Sequence, residues 1–320
     1  MNFRTVLKKD KVREVISYQD KILCIGSCFA ENIHHFLSHR KYKSFLNPCG
    51  ITYNPISIAN SIYYTIGMTD IKREDIQENN GIYFHFDFHS QFSGTSKDEV
   101  FEKITHHLEQ ARKFNDPDVL ILSLGSAFTY FQSMTNEAVN NCHKIPQSSF
   151  EKVRLSISQI SNMLNVAISE IRKAKPKMKV IVTVSPVRHL KDGMINNNLS
   201  KSSLLLSVPE LEEATYFPSY ELLLDDLRDY RFYDRDLVHP SSEAVDYILD
   251  FFEGQFFSGE KEIRDKVVKV QNDLKHRAFF PDSDQHQQFL KKVMINMQTL
   301  MEESNVDFLR EIQATKEKLI

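Results

Sequence analysis

The chain has 320 residues, enough for one large α/β domain with an appendage or for two modest domains. Its hydrophobic fraction of 41% and charged fraction of 26% are those of a globular protein with a sizeable core, not of a disordered or fibrous chain. The net charge of −3 gives no reason to expect nucleic acid or an anionic membrane as a partner.

The first half of the chain alternates short apolar runs with helical patterns. Residues 21–25 form an apolar run that stops at Gly26-Ser27, and the next residues have helical character. This pattern predicts a strand, a tight turn and a helix. The elements expected after them are a strand at 42–46, a helix at 56–68, a strand at 82–89, an amphipathic helix at 97–114 and a buried strand at 118–124.

The second half continues this alternation and then changes character. We expect a long helix at 149–175, a buried strand at 179–186, and helices at 219–230 and 242–257. After these the chain is charged and helical, near 260–278, 283–303 and 305–319, with no strand-like run. We therefore assign residues 1–257 to an α/β domain and residues 258–320 to a helical C-terminal extension, which packs on the main domain or on another subunit.

Apolar strands alternating with longer helices indicate a doubly wound parallel sheet. In such sheets, binding and catalytic sites form beyond the carboxyl ends of the strands. Several polar residues follow the predicted strand ends and are therefore candidate site residues: Ser27, Asn54, Ser126, Ser185, Arg188 and His189.

Signals for targeting and for metal or redox chemistry are weak. Charges interrupt the amino terminus throughout, so it lacks the apolar run of a secretory signal, and no stretch approaches the about 18 apolar residues of a membrane span. The cysteines match no zinc spacing and no CxxC motif, so we expect reduced, partly buried thiols in a cytoplasmic protein. They are Cys24, Cys28, Cys49 and Cys142.

Ser27 is the candidate nucleophile. It lies between a buried strand and a helix, where backbone N–H groups and the helix dipole favour developing negative charge. A serine becomes nucleophilic when a base accepts its proton and an acid orients that base, and Asp236 and His239 supply both around a turn. The alternatives are that Ser27 only caps the helix and Asp236 only caps a turn.

The string GSCFA at residues 26–30 is the signature for which the GSCFA family is named, and the chain resembles that family, which is itself similar to the SGNH (GDSL-like) hydrolases. The resemblance covers roughly residues 20–257. It implies a flavodoxin-like α/β fold of the SGNH hydrolase type, with Ser27 as the nucleophile and Asp236 and His239 as its partners. Further matching stretches are GITYNPISIA (50–59), FHFDFHSQFSG (84–94), LGSAFTY (124–130), NCHKIP (141–146), SPVRHLKDG (185–193) and YFPSYELLLDDLRDYRFYDRDLVHPS (216–241).

The resemblance also implies an oxyanion hole made by the nucleophile's backbone N–H, a glycine and an asparagine. Gly50 matches the glycine, but Ala127 stands where the asparagine is expected. Asn54 and Asn141 are candidate replacements. We favour Asn54 because it lies close to Gly50 and because Pro55 restricts its backbone; the alternative is that Asn54 only caps the helix that follows.

Polar residues in loops near strand ends are candidate substrate-binding residues. They are His89, Ser126, Asn141, His143, Arg188 and His189. Arg188 could bind a carboxylate, a phosphate or a sugar hydroxyl, or form a structural ion pair. Cys28 adjoins the nucleophile and is either a redox-sensitive thiol or a small apolar side chain that packs inward.

We predict an esterase-type serine hydrolase that acts on an acyl or acetyl ester, with carbohydrate esters among the candidate substrates, and that needs no metal or organic cofactor. The expected partner is this small-molecule or carbohydrate ester, with no nucleic acid and no membrane, and the C-terminal helices are a candidate surface for homo-oligomers. One alternative is a binding or scaffold protein of the same fold with little or no catalysis, motivated by Ala127. Another is a metal-dependent hydrolase using His85, Asp87 and His89, which would face one side of the predicted strand; we favour a polar strand face over this metal site.

Overall fold

The computed structural model describes residues 4–9, 16–257, 259–304 and 306–320. Residues 1–3 and 10–15 of the amino-terminal segment, which was expected to carry no secretory signal, and residue 258 at the expected domain boundary lie outside these residues. Within them, no helix combines the length and the apolar character that crossing a bilayer requires.

Strands and helices alternate along the described chain, with 3₁₀ turns between several of them. In chain order they are β1 (Lys21–Gly26), α1 (Cys28–His39), β2 (Lys43–Leu46), α2 (Pro55–Thr65), β3 (Gln77–Asn79), β4 (Ile82–Phe84), α3 (Lys97–Ala111), β5 (Val119–Leu124), β6 (Phe128–Gln132), β7 (Ala138–Val139), β8 (Phe150–Arg154), α4 (Ile157–Arg172), β9 (Lys179–Val184), α5 (Gly193–Ser207), β10 (Ala214–Phe217), α6 (Ser219–Glu221), α7 (Ser242–Phe256), α8 (Lys261–Lys275), α9 (Asp284–Glu303) and α10 (Leu309–Lys316).

A five-stranded parallel sheet forms the centre of the molecule, in the order β10-β9-β5-β1-β2. Counted along the chain within this sheet the order is 2-1-3-4-5, one of the two common doubly wound orders. The predicted α/β architecture with a parallel sheet is therefore confirmed. The order reverses between β1 and β5, which is the position where such sheets leave a crevice beyond their carboxyl ends.

Helices cover both faces of this sheet, as the continuous apolar runs of its strands require. Ile22 and Cys24 of β1 belong to the core on the face covered by α1 and α7. Leu23 and Ile25 belong to the core on the other face, with α2, α4 and α5. Strand β1 is thus buried on both sides, and this packing fixes the position of the turn that follows it.

The C-terminal helices α8, α9 and α10 pack on the same face as α1 and α7, and their apolar residues join that core. Two ion pairs attach them to the main domain: Arg264 with Glu253 at 2.7 Å, and Lys41 with Glu311 at 2.6 Å. Of the two alternatives for the helical extension, packing on the main domain is the one that the structure shows.

This packing predicts that α9 stabilises the whole protein. Met297 on α9 is fully buried, so Met297→Ala should lower the free energy of unfolding by about 2–5 kcal/mol in urea denaturation. Ile295, on the same helix, is 61% exposed, and Ile295→Ala should change it by no more than about 0.5 kcal/mol. Equal effects of the two substitutions would show that α9 is not part of the cooperative core.

Some predicted elements were wrong in extent or were missed. The predicted helix at 149–175 starts only at Ile157, because Phe150–Arg154 forms β8 in a three-stranded antiparallel sheet with β6 and β7. Ser156 caps that helix in a capping box with Gln159, a signal that the sequence contains. The predicted strand at 82–89 ends at Phe84. Helix α5 was not predicted, because its many Asn and Ser residues are typical of a loop.

Candidate active site

The turn between β1 and α1 is built from small residues. Gly26 has a φ of +142°, and a side chain there would overlap the backbone of Ser123 on the neighbouring strand β5. Ser27 caps α1, since its Oγ accepts a hydrogen bond from the Phe29 N–H at 3.3 Å. The same Oγ shares a 2.9 Å hydrogen bond with Ser123 Oγ, and Ser27 is only 1% exposed. The structure thus places the predicted nucleophile as a helix cap bonded to β5.

Cys28, the first residue of α1, is oriented differently. It is partly exposed and lines two adjoining cavities, whose lining residues do not include Ser27. The two roles expected for Cys28 from the sequence were a redox-sensitive thiol and a buried apolar side chain. At this turn, then, a thiol faces solvent where a hydroxyl was expected.

Asp236 and His239 form the predicted pair. His239 Nδ1–H donates to Asp236 Oδ2 at 2.6 Å, and the backbone N–H groups of Val238 and His239 donate to Asp236 Oδ1 at 2.8 and 3.0 Å. These hydrogen bonds, that from the imidazole first, lower the pKa of Asp236 to about 2. The carboxylate is therefore ionised at neutral pH and fixes the ring so that Nε2 is the basic nitrogen.

The two cavities lie on either side of Cys28, Val187 and His239, which line both. The larger has a volume of about 450 Å³ and the smaller about 380 Å³. The smaller cavity carries the acidic residues Glu31 and Asp246. The larger cavity carries most of the polar and basic groups: Asn54, Ser126, Asn140, Lys152, Arg188, His189, Lys191 and Asp192.

Four residues predicted from the sequence therefore meet at the larger cavity together with His239: Asn54, Ser126, Arg188 and His189. Burial lowers the pKa of His189 to about 4, so its imidazole is neutral near pH 7. The guanidinium of Arg188 lies 4.1 Å from the centre of the Tyr233 ring. Asn140 also lines this cavity, one residue before the predicted Asn141.

Asn141, His143 and His89 have structural roles and line neither cavity. Asn141 Oδ1 accepts the His143 N–H at 2.9 Å. His143 Nε2 lies 3.0 Å from the carbonyl oxygens of both His85 and Phe88, so this ring joins two loops. His89 Nδ1 accepts the Gln91 N–H at 3.4 Å and caps a 3₁₀ turn. These three assignments as substrate-binding residues have no support from the geometry.

The predicted oxyanion donors are only partly free. The Gly50 N–H donates to the Asn47 carbonyl at 2.8 Å, and the Ser27 N–H donates to the Ser123 carbonyl at 3.0 Å. Asn54 caps α2: its Oδ1 accepts the Ser57 N–H and its Nδ2 donates to Ser57 Oγ, both at 2.9 Å. The capping role is thus confirmed, and one amide hydrogen of Asn54 remains for a ligand. Its role as an oxyanion donor stays a prediction.

The proposed metal ligands do not share a strand face. The chain leaves β4 after Phe84, and Asp87 accepts hydrogen bonds from Tyr64 Oη at 2.9 Å and Asn60 Nδ2 at 3.3 Å. His85 Nδ1 accepts the Asp87 N–H at 3.1 Å. In the part of the chain that the structure describes, no three His, Cys, Asp or Glu residues are grouped as metal ligands.

Lys201, on α5, is a buried cation that was not predicted from the sequence. It is 1% exposed, and its Nζ donates to the carbonyl oxygens of Gly125 and Ser185, each at 2.7 Å. Gly125 and Ser185 directly follow the ends of β5 and β9. Burial lowers the pKa of Lys201 to about 7. No sequence pattern distinguishes it from the exposed lysines that helices usually carry.

The chain matches two family models. Residues 21–252 match the GSCFA family, and residues 267–320 match the GSCFA domain protein, C-terminal domain. The first match contains Ser27, Cys28 and the Asp236–His239 pair, and the second covers α9, α10 and most of α8. Comparison with curated proteins and with solved structures gave no match.

Proposed function

The chain belongs to the GSCFA family, and from that premise we propose that it is a hydrolase of acyl or acetyl esters that works by covalent catalysis at the β1–α1 turn. The observation that carries the proposal is the Asp236–His239 pair at the cavities. Nδ1 is held by the carboxylate at 2.6 Å, while Nε2 has no hydrogen-bond partner among the described residues. A histidine so oriented is suited to act as a general base.

In this mechanism a nucleophile at the turn attacks the ester carbonyl while His239 Nε2 accepts its proton. The protonated imidazole then donates that proton to the leaving alcohol, and Asp236 stabilises its positive charge. Water hydrolyses the acyl-enzyme by the same route, with His239 again as the base. The strand order 2-1-3-4-5 and the location beyond the strand ends support an SGNH-type interpretation of the fold and of this chemistry.

The larger cavity favours an oxygen-rich substrate. The Nε of Arg188 is buried and has no hydrogen-bond partner in the described part of the chain, and Lys191 lines the same cavity. Lys152 is also there, paired with Asp192. Cationic groups with free donors bind carboxylates, phosphates or sugar hydroxyls. We therefore propose an ester whose acid or alcohol part carries such oxygens, a carbohydrate ester being one such compound.

A second candidate is a binding or scaffold protein with little or no catalysis. The engagement of the Gly50 and Ser27 N–H groups within the protein favours it, because neither of these predicted donors is then free to bind an oxyanion. One missing donor reduces transition-state stabilisation by about 3–4 kcal/mol.

Ester hydrolysis by the purified protein tests the first candidate against the second. We expect hydrolysis of p-nitrophenyl acetate, and His239→Ala should lower kcat about 10²–10⁴-fold, the usual contribution of a general base. His106 is an exposed histidine on α3, and His106→Ala should behave like the wild type. If acetyl, longer acyl and acetylated-sugar esters are all left intact, or if His239→Ala retains full activity, the binding candidate replaces the hydrolase.

A further inference from the structure

We propose that the nucleophile at the β1–α1 turn is the thiol of Cys28, and that Ser27 positions the turn without reacting. This inference rests on the proposed function, since it names the attacking atom of the same site. It changes the class of the enzyme from a serine hydrolase to a thiol hydrolase with a thioester intermediate.

The first argument is the direction of the two side chains. Ser27 is 1% exposed, and its Oγ already has two partners, the Phe29 N–H and Ser123 Oγ. Both partners would lose their hydrogen bond if the hydroxyl turned towards a substrate, and Ser123 is itself fully buried. Cys28 needs no such rearrangement, since it already lines both cavities.

The second argument is the base. His239 lines the same two cavities as Cys28, and Nε2 is its free nitrogen. Burial, with a smaller contribution from Glu31, raises the pKa of Cys28, so the resting side chain is a neutral thiol. A neutral thiol needs a base to become a thiolate, and the Asp236–His239 pair supplies one.

The third argument is the electrostatic field at the turn. Cys28 is the first residue of α1, and the backbone N–H groups of Cys28 and Phe29 at the helix start favour negative charge on its sulfur and lower its pKa. Below about pH 7, where Lys201 carries its proton, its charge acts in the same direction and lowers the pKa of Cys28. Both effects stabilise the thiolate once His239 has taken the proton.

The reaction then balances without any further reagent. The Cys28 S–H proton moves to His239 Nε2 as sulfur forms a bond to the ester carbonyl carbon. The C–O bond to the alcohol breaks, the alcohol leaves with that proton, and a thioester remains on Cys28. Water, losing a proton to His239, attacks the thioester; the C–S bond breaks and the thiol recovers its proton, releasing the acid.

The intermediate can be identified chemically. Wild-type protein is mixed with p-nitrophenyl acetate, quenched in acid and digested, and the peptide spanning residues 22–40 is analysed by mass spectrometry. This peptide contains both Ser27 and Cys28. We expect an acetyl group that fragmentation locates at Cys28 and that neutral hydroxylamine removes, as it does a thioester. A hydroxylamine-resistant acetyl group on Ser27 would overturn the proposal.

Variants test it independently. Cys28→Ala should lower kcat/KM for this ester at least 10²-fold, and Ser27→Ala should reduce it less than 10-fold while lowering the melting temperature through the lost cap. Cys142→Ser is the matched control, since Cys142 is also partly exposed but lines neither cavity, and it should retain wild-type activity. An inactive, folded Ser27→Ala with an active Cys28→Ala would assign the reaction to Ser27.

A separate measurement distinguishes failure of this inference from failure of the proposed function. The rate of alkylation of Cys28 by iodoacetamide does not depend on any ester being a substrate. We expect His239→Ala to slow it at least 10-fold and to leave alkylation of Cys142 unchanged. If His239→Ala slows alkylation in this way but the protein hydrolyses no ester, the thiol–imidazole pair is supported and ester hydrolysis is rejected. If Cys28 is alkylated at the same rate in the wild type and in His239→Ala, the pair itself is rejected.

Discussion

Asp236→Asn is expected to lower kcat for ester hydrolysis by about 10³–10⁴-fold, with little change in the melting temperature. An amide in place of the carboxylate no longer fixes the proton on His239 Nδ1. The proton can then occupy Nε2, and the imidazole loses its basic nitrogen on the side of the cavity. Stability should change little, because the side chains of both partners are 49% exposed.

The matched control for this experiment is Asp234→Asn. Asp234 lies in the same loop, and its Oδ1 accepts the N–H of Arg235 at 2.7 Å without contacting the imidazole. Its variant should keep wild-type kcat. Since the pKa of Asp236 is about 2, its carboxylate stays ionised above about pH 4, so the difference in kcat should not reflect titration of Asp236 between pH 5 and 8. Similar kinetics for the two variants would mean that Asp236 does not orient the base.

Lys201→Met is expected to lower the free energy of unfolding by about 2–6 kcal/mol at pH 8. The substitution keeps most of the side-chain volume but leaves the buried carbonyls of Gly125 and Ser185 without a donor, at about 1–3 kcal/mol each. Lys292 is exposed on α9, so Lys292→Met provides a comparison in which the same change should have almost no effect. Urea denaturation of the three proteins measures the difference.

The same substitution should also change the pH dependence of stability. The folded pKa of Lys201 is about 7, below its ordinary value of 10.5, so between these values the unfolded chain binds more protons than the folded protein. This contribution to the free energy of unfolding therefore rises with pH by about 1.4 kcal/mol per unit from pH 7 towards pH 10 and is absent below pH 6.

Lys201→Met removes this contribution, so the difference in the free energy of unfolding between the wild type and the variant should grow between pH 7 and pH 9. A neutral amine has two hydrogens, one for each of the two carbonyls, whereas an ammonium would have a third without a partner. A difference that stays constant with pH would show that Lys201 remains charged in the folded protein.

The three inner strands of the sheet could be predicted closely from the sequence, because parallel strands buried on both faces are continuous apolar runs. Strands β1, β5 and β9 begin and end within about two residues of the predicted positions. The Asp236–His239 contact was also predictable, since both residues belong to one short turn. Helix α5, strand β10 and the antiparallel strands β6, β7 and β8 were not, because short or Asn- and Ser-rich segments resemble loops and β8 directly precedes a long helix.

The direction in which a side chain points at the start of a helix was harder to predict from the sequence. Ser27 and Cys28 are neighbours in the signature string, and both residue types can be nucleophiles. Which of them faces the cavities depends on where the cap ends and the first helical turn begins, a boundary that sequence patterns locate only to within about two residues. The pairing of Ser27 with Ser123 joins the turn after β1 to strand β5, far apart in sequence, so no local pattern could have indicated it.

The position of α1 has a consequence for how the protein folds during synthesis. Its apolar face packs on α7 and contributes to the same core as the C-terminal helices, although α1 ends at His39. At about 5–20 residues per second, the ribosome needs roughly 15 to 55 s to produce the remainder of the 320-residue chain. During that interval the helix that carries Cys28 lacks its covering layer. Chaperones that bind apolar segments are therefore expected to associate with the amino-terminal part of the nascent chain until its last helices emerge.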